Sequence, residues 1–343
     1  MTIEKKSLKS SFGKIEVRKD LDLIKKVKGF RVTPYLKEKL VYVGQLDSYE
    51  QGSEIIKRLL NLEISDTTIH RIADSLGLEC GNWLEEEDLR RDLKEEEVIY
   101  AQVDGSMILT REEKWKEVKL GRIFGVSSCL SVSKSRNWLK ESEYVSHLGS
   151  HTEFESKMSA ILDNYANFNN QLVFINDGAK WQWNWIDAEY PEATQILDFY
   201  HAMEHIGKFL TLILKPQQRK ESMSACSIIL KEKGLDALWK EINRVISDNK
   251  GRKLTKTQKI EKDRLKRYLE NNRKRVNYPD FIKRGLLIGS GAIESAHRTV
   301  LQKRLKLAGQ RWSIQGAKNM INLRTLNMSG HWDRLVNFIA MSA

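Results

Sequence analysis

Two aspartates and one glutamate have the surroundings that metal-assisted chemistry at phosphorus requires. Asp104 lies in VIYAQVDGSMI (98–108) and Asp177 in QLVFINDGA (171–179). Both follow Val- and Ile-rich runs that read as buried strands, and both precede a glycine. Side chains just past such strands project from the carboxyl edge of a sheet, where open α/β folds hold their ligands. Glu294, in GSGAIES, is expected in the first turn of a helix that begins near Ser290 after a Gly-Ser-Gly breaker. Mg²⁺ prefers hard oxygen donors and binds through a few carboxylates and phosphate oxygens while keeping several waters. Two such ions about 4 Å apart activate an attacking oxygen and stabilise a leaving one.

Taken singly, each acid has a plainer reading. An Asp after a strand is commonly a turn residue or a cap, and a Glu in a first helical turn answers the helix dipole. Their order separates the two readings: strand-Asp, strand-Asp, a long helical stretch, then helix-Glu. That is the order of an RNase H-like fold with three metal-binding carboxylates.

The elements needed to position them are legible in the periodicity. KEVKLGRIFGVSS (116–128) reads as one or two further strands. Phe154, Met158, Ile161, Leu162 and Tyr165 fall at helical spacing within 153–166. WQWNWIDAEYP is helix-like, and ATQILDFYH (193–201) reads as a third apolar strand ending in Asp198. Strand-helix-strand alternation predicts an α/β sheet with parallel strands. From 202 to about 280 the period is almost wholly helical and the charge basic. His201 and His205 stand at i, i+4, but without an HExxH pattern a zinc site is not expected. Trp183 and Trp185 are expected in the core, while Trp181 and Trp312 could stack on a frayed base.

The amino-terminal part predicts helices. Ser48 or Ser53 opens one carrying Ile55, Ile56, Leu59 and Leu60. After NLEIS (61–65), Ser65 or Asp66 caps a second with Ile69, Ile72 and Leu76, which Gly77 is expected to end. Read as a helix-turn-helix, it offers Thr67, Thr68, His70 and Arg71 to a major groove; read plainly, it is a helical hairpin.

Lys and Arg outnumber Asp and Glu by 58 to 46, for a net charge of +12. That balance favours a polyanionic partner, since cations that neutralise phosphates release condensed counterions. The charge is uneven: residues 85–97 carry eight acidic and three basic side chains, and 250–275 twelve basic and three acidic. An acidic linker and a basic arm or helix are the expected result. Between 283 and 311, Glu294 is the only acid among seven cations, including Arg298, Lys303, Arg304 and Arg311. These could line the path of a strand towards the metals. Cys80, Cys129 and Cys226 are widely spaced, which argues against a disulfide framework or zinc ribbon. No run approaches the roughly 18 apolar residues of a membrane span, and the start lacks a signal-peptide core. A cytoplasmic protein is expected.

Three blocks carry a family resemblance: YAQVDGSMI, VFINDGAKWQWNWIDAEYPEATQILDFYHAMEHI and GSGAIESAHRTVLQKRLKLAGQRWSIQGAKNMINLRTLNMSGHWD. Over about residues 97–333 the chain resembles bacterial insertion-sequence DDE transposases of the ISKra and ISLre types, which are related to the Mutator-like superfamily. The resemblance implies that Asp104, Asp177 and Glu294 bind catalytic Mg²⁺ or Mn²⁺, two ions in all. It also implies that an Asp-x-x-His element, here Asp198 to His201, supports the metal site or contacts DNA. It further implies an all-helical insertion between the second Asp and the Glu, which are 117 positions apart.

The combined expectation is an α/β RNase H-like core (98–204 and 286–343) with a helical basic insertion (205–285). An amino-terminal helical DNA-binding region (1–84) precedes it through the acidic linker (85–97). The expected activity is cleavage at transposon ends and strand transfer into double-stranded target DNA, by a homodimer bridging two ends. Two alternatives differ in class: a catalytically inactive or domesticated DNA-binding descendant, and an RNase H-like structure-selective nuclease.

Overall fold

The computed structural model describes residues 5–10, 13–18, 25–27, 30–86, 97–133, 136–166, 170–249 and 253–342. The chain opens with two short antiparallel hairpins, β1 (Lys5–Ser10) with β2 (Gly13–Arg18) and β3 (Lys25–Val27) with β4 (Phe30–Val32). The first 84 residues are therefore not wholly helical as expected. Three helices follow: α1 (Pro34–Leu46), α2 (Tyr49–Leu60) and α3 (Asp66–Glu86). Ser48 caps α2 through its hydroxyl, and Asn61 ends it in the left-handed region at φ 50°. The Ser65 hydroxyl accepts from the Thr68 N–H at the start of α3.

Gly77 does not end α3, which runs on for two more turns. A Cβ at Gly77 would meet the backbone of Asn319, so this glycine lets another helix approach closely. Most of the acidic stretch, 87–96, lies outside the described residues.

A five-stranded sheet then forms from β5 (Val98–Thr110), β6 (Lys114–Gly125), β9 (Glu143–Leu148), β10 (Gln171–Asn176) and β11 (Thr194–Leu197). Between β6 and β9 lies a small hairpin of β7 (Cys129–Ser133) and β8 (Arg136–Leu139). The strand order is β11-β10-β5-β6-β9. β5 pairs antiparallel with β6, and β6 with β9, while β10 runs parallel to both β5 and β11. The sheet is thus mixed rather than parallel throughout, because a tight turn joins β5 to β6 and makes that pair antiparallel. The crossovers that do exist are α4 (His151–Ala166), before β10, and α5 (Lys180–Glu189), between β10 and β11.

The helical stretch expected after residue 202 is present as α6 (Phe199–Ile213), α7 (Pro216–Asp248), α8 (Lys256–Asn271) and α9 (Tyr278–Lys283). Gly234, at φ 78°, breaks α7 into two segments. A capping box between Thr255 and Gln258 starts α8. The last part comprises α10 (Gly291–Ala296), a π-helical turn (His297–Gln302), α11 (Lys303–Leu305), α12 (Ile314–Met328) and α13 (Trp332–Met341).

Alternation along β5 divides the core in two. Ile99, Ala101 and Val103 bury against α4 and α5 in a cluster that continues through α6 to α9. Ile108, on the opposite face, joins Val118 and Leu120 of β6 under Ile293, Val300, Leu305 and Met320. Fully burying such a side chain contributes roughly 1.5–3 kcal/mol. A third cluster joins α1, α2 and α3 to Leu323, Leu326, Leu335 and Ile339 of α12 and α13. The amino-terminal helices and the carboxyl end therefore share one core. Among the described residues no helix is long and apolar enough to cross a membrane, and Cys80, Cys129 and Cys226 are free thiols.

Candidate active site

The registers put three aspartates at one level of the sheet. The parallel pairing of β10 with β5 ends at Phe174 opposite Ala101. Three residues further along each strand stand Asp177 and Asp104. On the other side, Asn176 faces Leu197, so Asp198 follows at the level of Asp177. Asp177 sits just past its strand, as expected. Asp104 does not: β5 runs on to Thr110, with Asp104 opposite Leu120 and Gly105 opposite Lys119. Gly105 keeps an extended backbone and breaks nothing. What ends near Asp104 is the neighbour, because β10 parts from β5 there.

Side chains fill the gap that opens. The Val103 N–H donates to Asn176 Oδ1 at 2.9 Å and the Val103 carbonyl accepts from Gln182 Nε2 at 3.3 Å. Asp177 Oδ1 accepts from the Ala179 N–H at 3.1 Å, and the left-handed turn at Gly178 (φ 102°) is closed by Tyr268. Tyr268, on α8, donates to the Asp177 carbonyl at 2.8 Å and stacks on His205 with ring centroids 4.0 Å apart. One face of the helical insertion thus fixes the second aspartate.

Returning from the insertion, the chain crosses the strand ends through Leu286–Ser290, pinned at four points. The Leu287 N–H donates to the Tyr100 hydroxyl, and the Phe199 N–H to the Ile288 carbonyl. Gln102, fully buried, donates to the Gly289 carbonyl at 3.3 Å and accepts from the Ile293 N–H at 3.0 Å. Asp198 accepts from the Ser290 N–H with Oδ2 and caps α6 through His201 N with Oδ1. The expected third strand stops at Leu197 because Asp198 starts this helix. Buried, with each carboxylate oxygen accepting one backbone N–H, Asp198 ties the return loop to the start of α6.

Beyond the loop, the carboxyl-terminal run tracks one face of β5. Ile293 meets Gln102, the His297 ring meets Asp104, Lys306 donates to Ser106, and Trp312 bonds to Leu109 and Arg111. A two-residue step on a strand covers about 7 Å, close to the 6 Å of a four-residue step on a helix. Gln102 to Asp104 therefore matches Ile293 to His297. Glu294 lies in that interval, exposed on the first turn of α10 and one turn from His297.

Burial, and behind it the negative charge of Asp177, pushes the Asp104 carboxyl above its usual range; the Gly105 N–H and His201 act the other way. Two carboxylates at one level of adjacent strands repel, a cost that a cation would relieve. His297 Nε2 lies 3.3 Å from Asp104 Oδ2 without hydrogen-bond geometry. Burial, then the Lys306 charge, depresses this imidazole to about 4, with the Asp104 backbone acting the other way. Among the described residues no three His, Cys, Asp or Glu side chains are gathered into a group that could hold a metal ion. The structure brings Asp104 and Asp177 together, with His201 in electrostatic reach and Glu294 a turn from the pair's neighbour.

Of the residues expected to meet DNA, Thr67, Arg71, Arg298, Lys303 and Arg311 are exposed. Three are not. Thr68 is buried against Ser65. Arg304 is fully buried, its guanidinium 4.6 Å from the Tyr49 ring and 4.9 Å from that of Trp312, with Nε donating to the Gly44 carbonyl. Trp312, itself buried, donates to the Leu305 carbonyl. A side chain closed off in this way has no surface for phosphate or base; Arg304 and Trp312 instead join α1 to the carboxyl-terminal run. Trp183 and Trp185 are in the core, as expected.

Sequence reasoning passed over Gln102, Asn176, Tyr268 and His297. A polar residue inside an otherwise apolar strand, as Gln102 and Asn176 are, was the available signal. Comparison with known proteins adds one finding. No curated protein matches this chain. A family model described as an uncharacterised protein family, UPF0236, matches residues 19–340. That span takes in both strands of the aspartate pair, the helical insertion and α10, and the chain belongs to this family.

Proposed function

We propose that the protein is a DDE-type transposase: a metal-dependent nuclease and strand-transferase acting on double-stranded DNA through Asp104, Asp177 and Glu294. The observation that carries the reading is the placement of Asp104 and Asp177 at one level of adjacent strands, with the Glu294 helix laid along the same strand. The strand order, three antiparallel strands followed by two parallel ones, is that expected of an RNase H-like core. The insertion lies between the second aspartate and the glutamate, as the family resemblance implies.

The donor set suits the implied ions. Asp104 and Asp177 supply hard carboxylate oxygens, and their mutual repulsion favours a cation between them. Asp104 and Asp177 would hold the metal, with exposed Glu294 completing the set. Divalent ions bound there supply activation of the attacking oxygen and stabilisation of the leaving one. Gln102 and Asp198 fix the loop from which α10 departs, and Tyr268 fixes the Asp177 turn. Arg298, Lys303 and Arg311 provide cations along the approach to the site, where phosphate contacts position a duplex. In the proposed reaction, water cleaves the phosphodiester at the transposon end and frees a 3′-hydroxyl. That hydroxyl then attacks a phosphodiester of the target, one P–O bond forming as another breaks, with no protein–DNA intermediate.

The test is cleavage of a labelled duplex bearing the DNA that flanks the gene, with Mg²⁺, with Mn²⁺ and with EDTA. Asp104→Asn, Asp177→Asn and Glu294→Gln should each abolish nicking while leaving duplex binding within about twofold. Binding without nicking by folded wild type in every metal would refute the catalytic reading.

A further inference from the structure

His297 stands out among the described side chains near the aspartate pair. The residue is 4% exposed, and neither Nδ1 nor Nε2 has a side-chain hydrogen-bond partner. A buried polar group without a partner costs free energy, and a folded protein retains one only where something else compensates. Its Nε2 lies 3.3 Å from Asp104 Oδ2. Neighbouring ligands of an octahedral ion with bonds of about 2.1 Å lie about 3 Å apart, so this spacing is close to that of two donors sharing one ion.

The backbone around the ring is arranged to hold it there. His297 begins the π-helical turn, a widened form often found at functional sites. Arg324, buried in α12, donates to the Thr299 and Val300 carbonyls within that turn and to Gln45. The widened turn is therefore braced from two helices. Glu294 stands three residues earlier, on the same side of the helix.

We propose that His297 is a nitrogen ligand of the metal ion bound by Asp104, so that the site favours first-row transition ions such as Mn²⁺ over Mg²⁺. The inference rests on the reading of Asp104 and Asp177 as metal ligands. Mg²⁺ holds to oxygen donors and gives up its waters reluctantly, whereas a first-row transition ion takes an imidazole nitrogen beside carboxylate oxygens more readily.

The experiment is pulsed electron paramagnetic resonance of the full-length protein loaded with Mn²⁺, grown with ¹⁵N-histidine or natural-abundance histidine. A directly bound imidazole gives a nitrogen coupling that changes with the isotope. We expect that coupling in wild type and in His201→Gln, and its loss in His297→Gln with Mn²⁺ affinity reduced roughly tenfold or more. Mg²⁺ should displace Mn²⁺ from His297→Gln at about tenfold lower concentration than from wild type. Mn²⁺ that is released by Asp104→Asn but shows no nitrogen coupling in wild type would overturn the inference and leave the carboxylate site standing. A coupling that survives His297→Gln but not His201→Gln would overturn it too. Mn²⁺ binding indifferent to Asp104→Asn would sink the carboxylate site, and the inference with it.

Discussion

Gln102→Glu tests the coupling between strand and helix with almost no change of shape. The wild-type amide makes two bonds of opposite sense, donating to the Gly289 carbonyl and accepting from the Ile293 N–H. A carboxylate at the same place keeps the acceptor but turns an oxygen towards a carbonyl, in a spot with no exposure to water. A protonated carboxyl, in contrast, offers O–H to Gly289 and C=O to Ile293 and reproduces both bonds. The introduced group should therefore hold its proton in the folded state, its pKa raised well above the roughly 4.3 of an unfolded glutamate. A raised folded pKa contributes stability in full below the unfolded pKa, and that stability is lost as pH rises towards the folded value. At about 1.4 kcal/mol per unit, the deficit relative to wild type is about 1 kcal/mol at pH 5. It reaches about 3.7 kcal/mol at pH 7 if the proton is kept throughout. Wild type has no titrating group at this position, so the difference between the two proteins isolates the effect. Urea unfolding at both pH values measures it. Equal deficits at pH 5 and pH 7 would refute the two-bond assignment, and so would a deficit under about 1 kcal/mol at pH 7.

Three further substitutions probe the contact between α3 and α12 and the Asp177 turn. Gly77→Ala should gain about 1 kcal/mol of helix propensity, but its methyl would sit 2.7 Å from the Asn319 carbonyl carbon, backbone that cannot yield. A net loss of about 1–2 kcal/mol in urea unfolding is expected; stabilisation would show that α3 and α12 are not in such close contact. Gly81→Ala is the control: it meets only Asn322 Nδ2, whose departure forfeits one bond to the Gly77 carbonyl, and should be neutral within about 1 kcal/mol. Tyr268→Phe removes the hydroxyl that bonds the Asp177 carbonyl and should cost about 1 kcal/mol of stability. It should also weaken Mn²⁺ binding, measured by titration calorimetry, by loosening the Asp177 turn; unchanged affinity would confine Tyr268 to packing.

The sequence by itself determined the elements whose patterns are local. Apolar runs ending in Asp-Gly marked β5 and β10, helical spacing marked α4 and the insertion, and the Gly-Ser-Gly breaker marked the start of α10. Ser48, Ser65 and Asn61 could act within their own turns, so the α2–α3 junction was legible as well. Where a residue's role depends on what lies across from it, the sequence was silent or misleading. Asp104-Gly105 looked like a strand end, because the partner that keeps β5 extended, β6, is specified by pairing and not by the dipeptide. Gly77 looked like a helix end, but its lack of a side chain serves a contact with a helix about 240 positions away. Arg304 and Trp312 had the composition of a DNA surface and were drawn inside by Tyr49 and Gly44, from the other end of the chain. Asp198 and His297 show the same limit at the site. Each is an ionisable residue on a helix, and only the return of the chain over β5 commits one to backbone bonds and leaves the other facing Asp104 with its nitrogens unpaired. Propensity and period act over a few residues and can be read in one dimension. Burial, pairing and electrostatic neighbourhood arise between distant segments, and tertiary structure alone decided them.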